Sequence, residues 1–123
     1  MPELNKVLIA GRLTDDPVIK YTPDGIGVAN IRLAVNHYAK NKQESDVSFF
    51  DVVAFGKVVE FISMYIKKGN LIFIDGRLRQ VKYSVRIDGE EKTRSKVEIV
   101  ANSIFPINVH ADKTMEDEGT IEY

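Results

Sequence analysis

The stretch SFFDVVAFGKVVEFISMYIKKGNLIFIDGRLR, Ser48 to Arg79, changes its hydrophobic period twice. From Phe49 to Phe55 the pattern alternates. Phe49, Asp51, Val53 and Phe55 fall on one face of a strand, and Phe50, Val52 and Ala54 on the other. A strand apolar on both faces, with an acid set into it, suits the middle of a closed sheet better than a half-exposed edge. The period then becomes helical over Val58, Val59, Phe61, Ile62, Tyr65 and Ile66. Lys67 and Lys68 are expected in the last helical turn, where cations suit the helix dipole, and Gly69 offers a left-handed stop. Leu71 to Ile74 restart a strand, in which Gly76 predicts a bulge or bend.

Upstream, Leu4 to Leu13 is strand-like, with Gly11 as an expected bulge. Thr14-Asp15-Asp16-Pro17 reads as a turn, Val18 to Thr22 as a short strand, and Pro23-Asp24-Gly25 as a second turn. Ile26 to Asn36 alternates, with Ile31, Leu33 and Val35 on one side and Asn30, Arg32 and Ala34 on the other. His37 to Val47 is polar and reads as an exposed loop carrying Tyr38, Lys40 and Lys42. Downstream, Gln80 to Ile87 and the return strand from Lys92 flank Asp88-Gly89, a strong hairpin signal. Lys96 to Ala101 and Ser103 to Ile107 finish the sheet. The expectation is an all-β fold: a five-stranded Greek-key barrel of the OB type, with one helix between strands 3 and 4. A sandwich needs more strands and no central helix.

The same residues carry a family resemblance. A strand, Phe55-Gly56-Lys57, an amphipathic helix, Lys67-Lys68-Gly69, a strand and Asp75-Gly76-Arg77-Leu78-Arg79 resemble the core of bacterial-type single-stranded DNA-binding proteins. Asn5 to Leu13 with Asp16-Pro17, Tyr21 to Gly25 with Val28-Ala29-Asn30 and Leu33 to Asn36, and Glu98 to Ala101 agree in order. The resemblance covers about residues 3 to 106. The compact size and short tail lean towards a phage or accessory version.

Composition fits one soluble globular domain: 123 residues, 44% hydrophobic and 28% charged. No apolar run is long enough to span a membrane and no secretory leader is seen, which with zero Cys points to a cytoplasmic setting. The net charge of −1 hides an asymmetry. Residues 1–110 hold 16 Lys+Arg against 13 Asp+Glu, net +3; residues 111–123 hold one Lys against five Asp+Glu, net −4. The domain is therefore expected over 1–110, with a short acidic disordered tail over 111–123.

No catalytic, cofactor or metal site is expected. His37 and His110 lack metal-ligand spacing, Asp15-Asp16 sits in a turn, and there is no phosphate loop or nucleophile motif. The binding inventory is richer, because single-strand binders need exposed aromatic faces beside cations. On residues alone, Phe in a strand reads first as core. The resemblance instead implies that Phe49, Phe55 and Tyr83 stack bases. It places the family's loop aromatic on Ala39, one position after Tyr38, which substitutes only if the loop is irregular. Tyr83 lies among cations on a polar hairpin, which favours binding on its own account. Arg32, Lys57, Arg77, Arg79, Lys82, Arg86 and Arg94 are the candidate cations.

The expected function is sequence-independent binding of single-stranded DNA in replication, recombination and repair, without enzymatic activity. The resemblance implies a homotetramer, for which Leu4 to Ile9 is the natural free edge. It also implies docking of replication or repair proteins through the acidic tail. The tip Glu116 to Tyr123, however, ends in Ile121-Glu122-Tyr123 without the family's Pro-Phe. The rival readings are an OB-fold primosome or replication-restart module acting through protein partners, and an RNA-binding appendage.

Overall fold

The computed structural model describes residues 3–37 and 46–107. It contains β1 (Val7–Leu13), β2 (Val18–Tyr21), β3 (Gly27–His37), β4 (Asp46–Phe55), α1 (Val58–Tyr65), β5 (Leu71–Ile87) and β6 (Glu90–Pro106). The sheet order is β1-β5-β6-β4-β3-β2, and β1 also pairs with β3 at Arg12↔Ala34 and Leu13↔Leu33. That pairing closes five strands into a ring, with the four-residue β2 attached to the outer side of β3. All pairings are antiparallel except β4 with β6, at Val52↔Ile99 and Val53↔Val100. The fold is thus the five-stranded OB-type barrel, and α1 joins its third and fourth long strands.

The alternation read in Ser48 to Phe55 sorts the chain between inside and outside. Val52 and Ala54 of β4 point into a core shared with Ile31 and Leu33 of β3, Ile72 and Ile74 of β5, and Ile99 and Ile104 of β6. Val59, Ile62 and Ile66, spaced for one helical face, join the same cluster. Each such fully buried aliphatic side chain contributes about 1.5–3 kcal/mol. The opposite parity is thereby forced outward, which places Phe49 and Phe55 on the barrel exterior.

Asp88 (φ 54°) and Gly89 (φ 77°) close the β5–β6 hairpin in the doubly left-handed turn that matches strand twist. Gly76 marks a register shift, as its position predicts: Asp75 pairs with Ser103 and Gly76 with Ala101, leaving Asn102 unopposed. A side chain at Gly76 would collide with the Val100 carbonyl, so the bend and the close approach both require glycine.

Three local expectations are corrected. Gly11 is no bulge, since β1 stays in continuous register with β5 through it. Glycine is needed there because β3 crosses closely, with the Ala34 carbonyl 2.5 Å from where a Cβ would lie. The first strand starts at Val7, where pairing with Gly76 begins. Ahead of it the Asn5 side chain replaces the ladder, accepting from Leu78 N–H at 2.9 Å and donating to its carbonyl at 2.8 Å. Finally, α1 ends at Tyr65 and Ile66 is already extended, so Lys67 and Lys68 lie beyond the helix. Their backbone N–H groups donate to Asn70 Oδ1 (2.7 Å) and Asp16 Oδ1 (2.8 Å). Asp16 therefore ties two turns together, a structural role.

Candidate nucleic-acid interface

Register fixes which side chains share the exterior. On β4 these are Phe49, Asp51 and Phe55, with Val53 of the same parity buried between them; their partners on β3 are Ala34, Arg32, Val28 and, for Val53, Asn30. Beyond the parallel contact with β4, β6 adds Lys96 and Glu98 on the same side. Their β5 partners are Val81 and Arg79, and Tyr83↔Arg94 follows one step further along the ribbon. Between the β1–β2 turn and this face runs an open groove of about 330 Å³, lined by Asp15, Asp16, Arg32, Asp51, Lys96 and Glu98 among others.

The three candidate stacking aromatics are all open to solvent: Phe49 is 48% exposed, Phe55 41% and Tyr83 44%. An exposed Phe in a central barrel strand is not core, so its apolar face is available to a planar partner. Each Phe already has an arginine over it, with the Arg32 Cζ 5.1 Å from the Phe49 centroid and the Arg79 Cζ 5.4 Å from that of Phe55. Both arginines are anchored by acids. Arg32 Nη1 donates to Asp51 Oδ1 at 3.3 Å, and Lys96 Nζ lies 3.5 Å from Asp51 Oδ2. Arg79 donates from Nε (3.0 Å) and Nη2 (2.8 Å) to the one oxygen Glu98 Oε2.

The other candidate cations divide by strand parity. Arg77 shares the face of Phe55 and donates to Asn102 Oδ1 at 3.2 Å. Arg94 lies directly across from Tyr83. Lys57 stands at the start of α1, two residues past Phe55. Lys82 and Arg86, at even positions of β5, project from the opposite face of the β5–β6 ribbon, and Arg86 Nη1 is 3.4 Å from the Gly89 carbonyl. The structure thus gathers Arg32, Arg77, Arg79 and Arg94 with the aromatics and sets Lys82 and Arg86 behind them. Tyr38 lies outside the described residues, as does the tail from 108 onward. Sequence reasoning passed over Lys96, although Lys92, Arg94, Lys96 and Glu98 alternate on one strand and so share one face. It also gave no role to Asp51 and Glu98.

The single-strand binding protein family model matches residues 4–107, nearly all of the described chain. The chain belongs to that family. Single-strand binding proteins of this kind are binding proteins, not enzymes. The chain is 44% identical over 108 residues to a single-stranded DNA-binding protein of Aquifex aeolicus, covering 85% of this chain and 71% of that protein. It is 42% identical over 103 residues to one from Halalkalibacterium halodurans, covering 82% of this chain and 59% of that protein. The chain thus spans about three-fifths to seven-tenths of these relatives. A solved structure, a Plasmodium falciparum SSB in complex with ssDNA, superposes with a TM-score of 0.77 at 22% identity, covering 88% of this chain and 98% of that one. That likeness shows the barrel fold. No helix among the described residues is long and apolar enough to cross a membrane.

Proposed function

We propose that this chain binds single-stranded DNA without sequence preference, as a protector of exposed strand in replication, recombination and repair. Bases stack on Phe49, Phe55 and Tyr83, and the cations around them neutralise phosphates. The observation that carries the reading is the placement of three exposed aromatics on one continuous face shared with four arginines. Aromatic stacking is sequence-tolerant because every base has a π face. Tyr38, outside the described residues, is a fourth candidate for stacking.

The working unit is a homotetramer. Over Val7–Gly11, β1 has β5 on one side only among the described residues. The adjoining exterior presents Leu8 and Phe105, both exposed, with Phe73 stacked on Phe105 at 6.2 Å. An open strand edge and an apolar sheet face suit pairing with further copies. The acidic residues 111–123 serve as the docking segment for replication or repair proteins, in the cytoplasm of a bacterial or phage-infected cell.

The test is a fluorescence-detected titration with poly-dT at several salt concentrations, beside native mass measurement. Tight, salt-dependent binding by a tetramer is expected. A monomer with no affinity for poly-dT but affinity for a primosome protein would instead favour the protein-docking module.

A further inference from the structure

Arginines beside stacking aromatics ordinarily count as phosphate contacts, but here the two nearest the rings are already occupied. The same three-part unit occurs twice. Phe49 lies under Arg32, which donates to Asp51; Phe55 lies under Arg79, which donates twice to Glu98. Resting on the DNA-binding reading, we propose that Asp51 and Glu98 are positioning residues of the interface. They hold Arg32 and Arg79 over the phenylalanines as part of the stacking surface and withhold both guanidinia from the phosphates.

Three physical points carry this. A guanidinium is planar and packs flat on aromatic rings and bases, so an arginine fixed over Phe enlarges the stacking platform. A cation neutralised by its own carboxylate displaces no counterion from DNA, and counterion release is what makes binding salt-dependent. The pairs also differ in how firmly they hold. The Glu98 side chain is only 10% exposed, so losing Arg79 would strand a nearly buried charge. Asp51 is more open and divides its oxygens between Arg32 and Lys96. Phosphate neutralisation along this face therefore falls to Lys57 and Arg94, which make no ion pair among the described residues, and to Arg77, whose partner there is neutral.

The experiment measures poly-dT affinity of the full chain from roughly 50 to 200 mM salt, with melting temperature alongside. It uses the parent protein, Arg79→Ala, Glu98→Gln and the double variant. Arg79→Ala is expected to weaken binding at every salt and, because it strands the Glu98 carboxylate, to lower the melting temperature, while the slope of log affinity against log salt changes by less than one phosphate contact. Glu98→Gln frees the guanidinium, so the slope steepens by about 0.7, or about 2.6-fold in affinity across that range. In the double variant this steepening disappears, because no guanidinium remains to be freed. Two results overturn the inference. One is Arg79→Ala flattening the slope by about 0.7 while Glu98→Gln leaves it unchanged. The other is steepening that persists in the double variant, which would trace it to the carboxylate alone. Should Glu98→Gln fail to fold, Asp51→Asn reads the second unit: steepening by one to two contacts supports the inference, and an unchanged slope overturns it. If the parent protein does not bind poly-dT, the DNA-binding reading falls and the inference with it; a binding parent with the wrong slopes removes the inference only.

Discussion

Replacing Tyr83 with Ala separates stacking from folding more cleanly than any other single change. Tyr83 sits on the part of the β5–β6 ribbon that projects past the last contact of β6 with β4, and no residue between Gln80 and Val97 belongs to the hydrophobic core. Its loss removes one half-exposed ring and one cross-strand pair, with Arg94. Such a pair is worth about 0.2–1 kcal/mol, so the melting temperature should fall by a few degrees at most. Stacking on OB-fold platforms is generally worth about 1–3 kcal/mol per base, a value for the class and not one obtained from this chain. The expected loss of affinity is about 5- to 150-fold. Fluorescence-detected titration with poly-dT at fixed salt reads the affinity, and a thermal melt the stability. Ile62→Ala is the opposite control: Ile62 is fully buried on the inner face of α1, so its truncation should cost about 2–5 kcal/mol of folding and leave the affinity of the folded protein unchanged. If Tyr83→Ala melts normally and binds within about twofold of the parent, Tyr83 is not a stacking platform.

Gly76→Ala should destabilise the barrel by roughly 1–3 kcal/mol through collision with the Val100 carbonyl, measurable by denaturant unfolding. A charge on the apolar sheet face, Leu8→Asp or Phe105→Asp, should reduce the tetramer to smaller species at micromolar concentration in sedimentation while the circular dichroism of the barrel is kept. Deleting Met115 to Tyr123 removes four of the five tail acids and should tighten DNA binding slightly at low salt and weaken partner binding. If both stay unchanged, the tail is a passive end.

What the sequence disclosed, and what it hid, follows from the range of each signal. Period and turn chemistry are local. They sufficed to put Phe49 and Phe55 on one face of a strand, and for the Asp88-Gly89 hairpin and the break at Gly76, whereas that this face is the outer one came from the family resemblance. The helix end was misplaced by one turn because Lys67 and Lys68 satisfy the dipole pattern equally well from just outside it, where Asn70 and Asp16 hold the chain. Gly11 was taken for a bulge because a glycine in a strand has two causes, and only the crossing of β3 distinguishes them. The site shows the same limit. Alternation along β5 puts Lys82 and Arg86 opposite Tyr83, and that much is legible. The pairing of Lys96 with Asp51 depends on where β4 meets β6, a register between segments 47 residues apart that no local pattern encodes.

The central claim is that DNA follows the Phe49–Phe55–Tyr83 face. Amide chemical-shift mapping with a short oligo-dT tests it most directly. The largest shifts are expected on Arg32, Phe49, Asp51, Phe55, Arg79, Tyr83 and Arg94, with oligo-dT and oligo-dC marking the same residues. Shifts concentrated instead on α1 or around Leu8, Phe73 and Phe105, with the outer face of β4 unmoved, would contradict it.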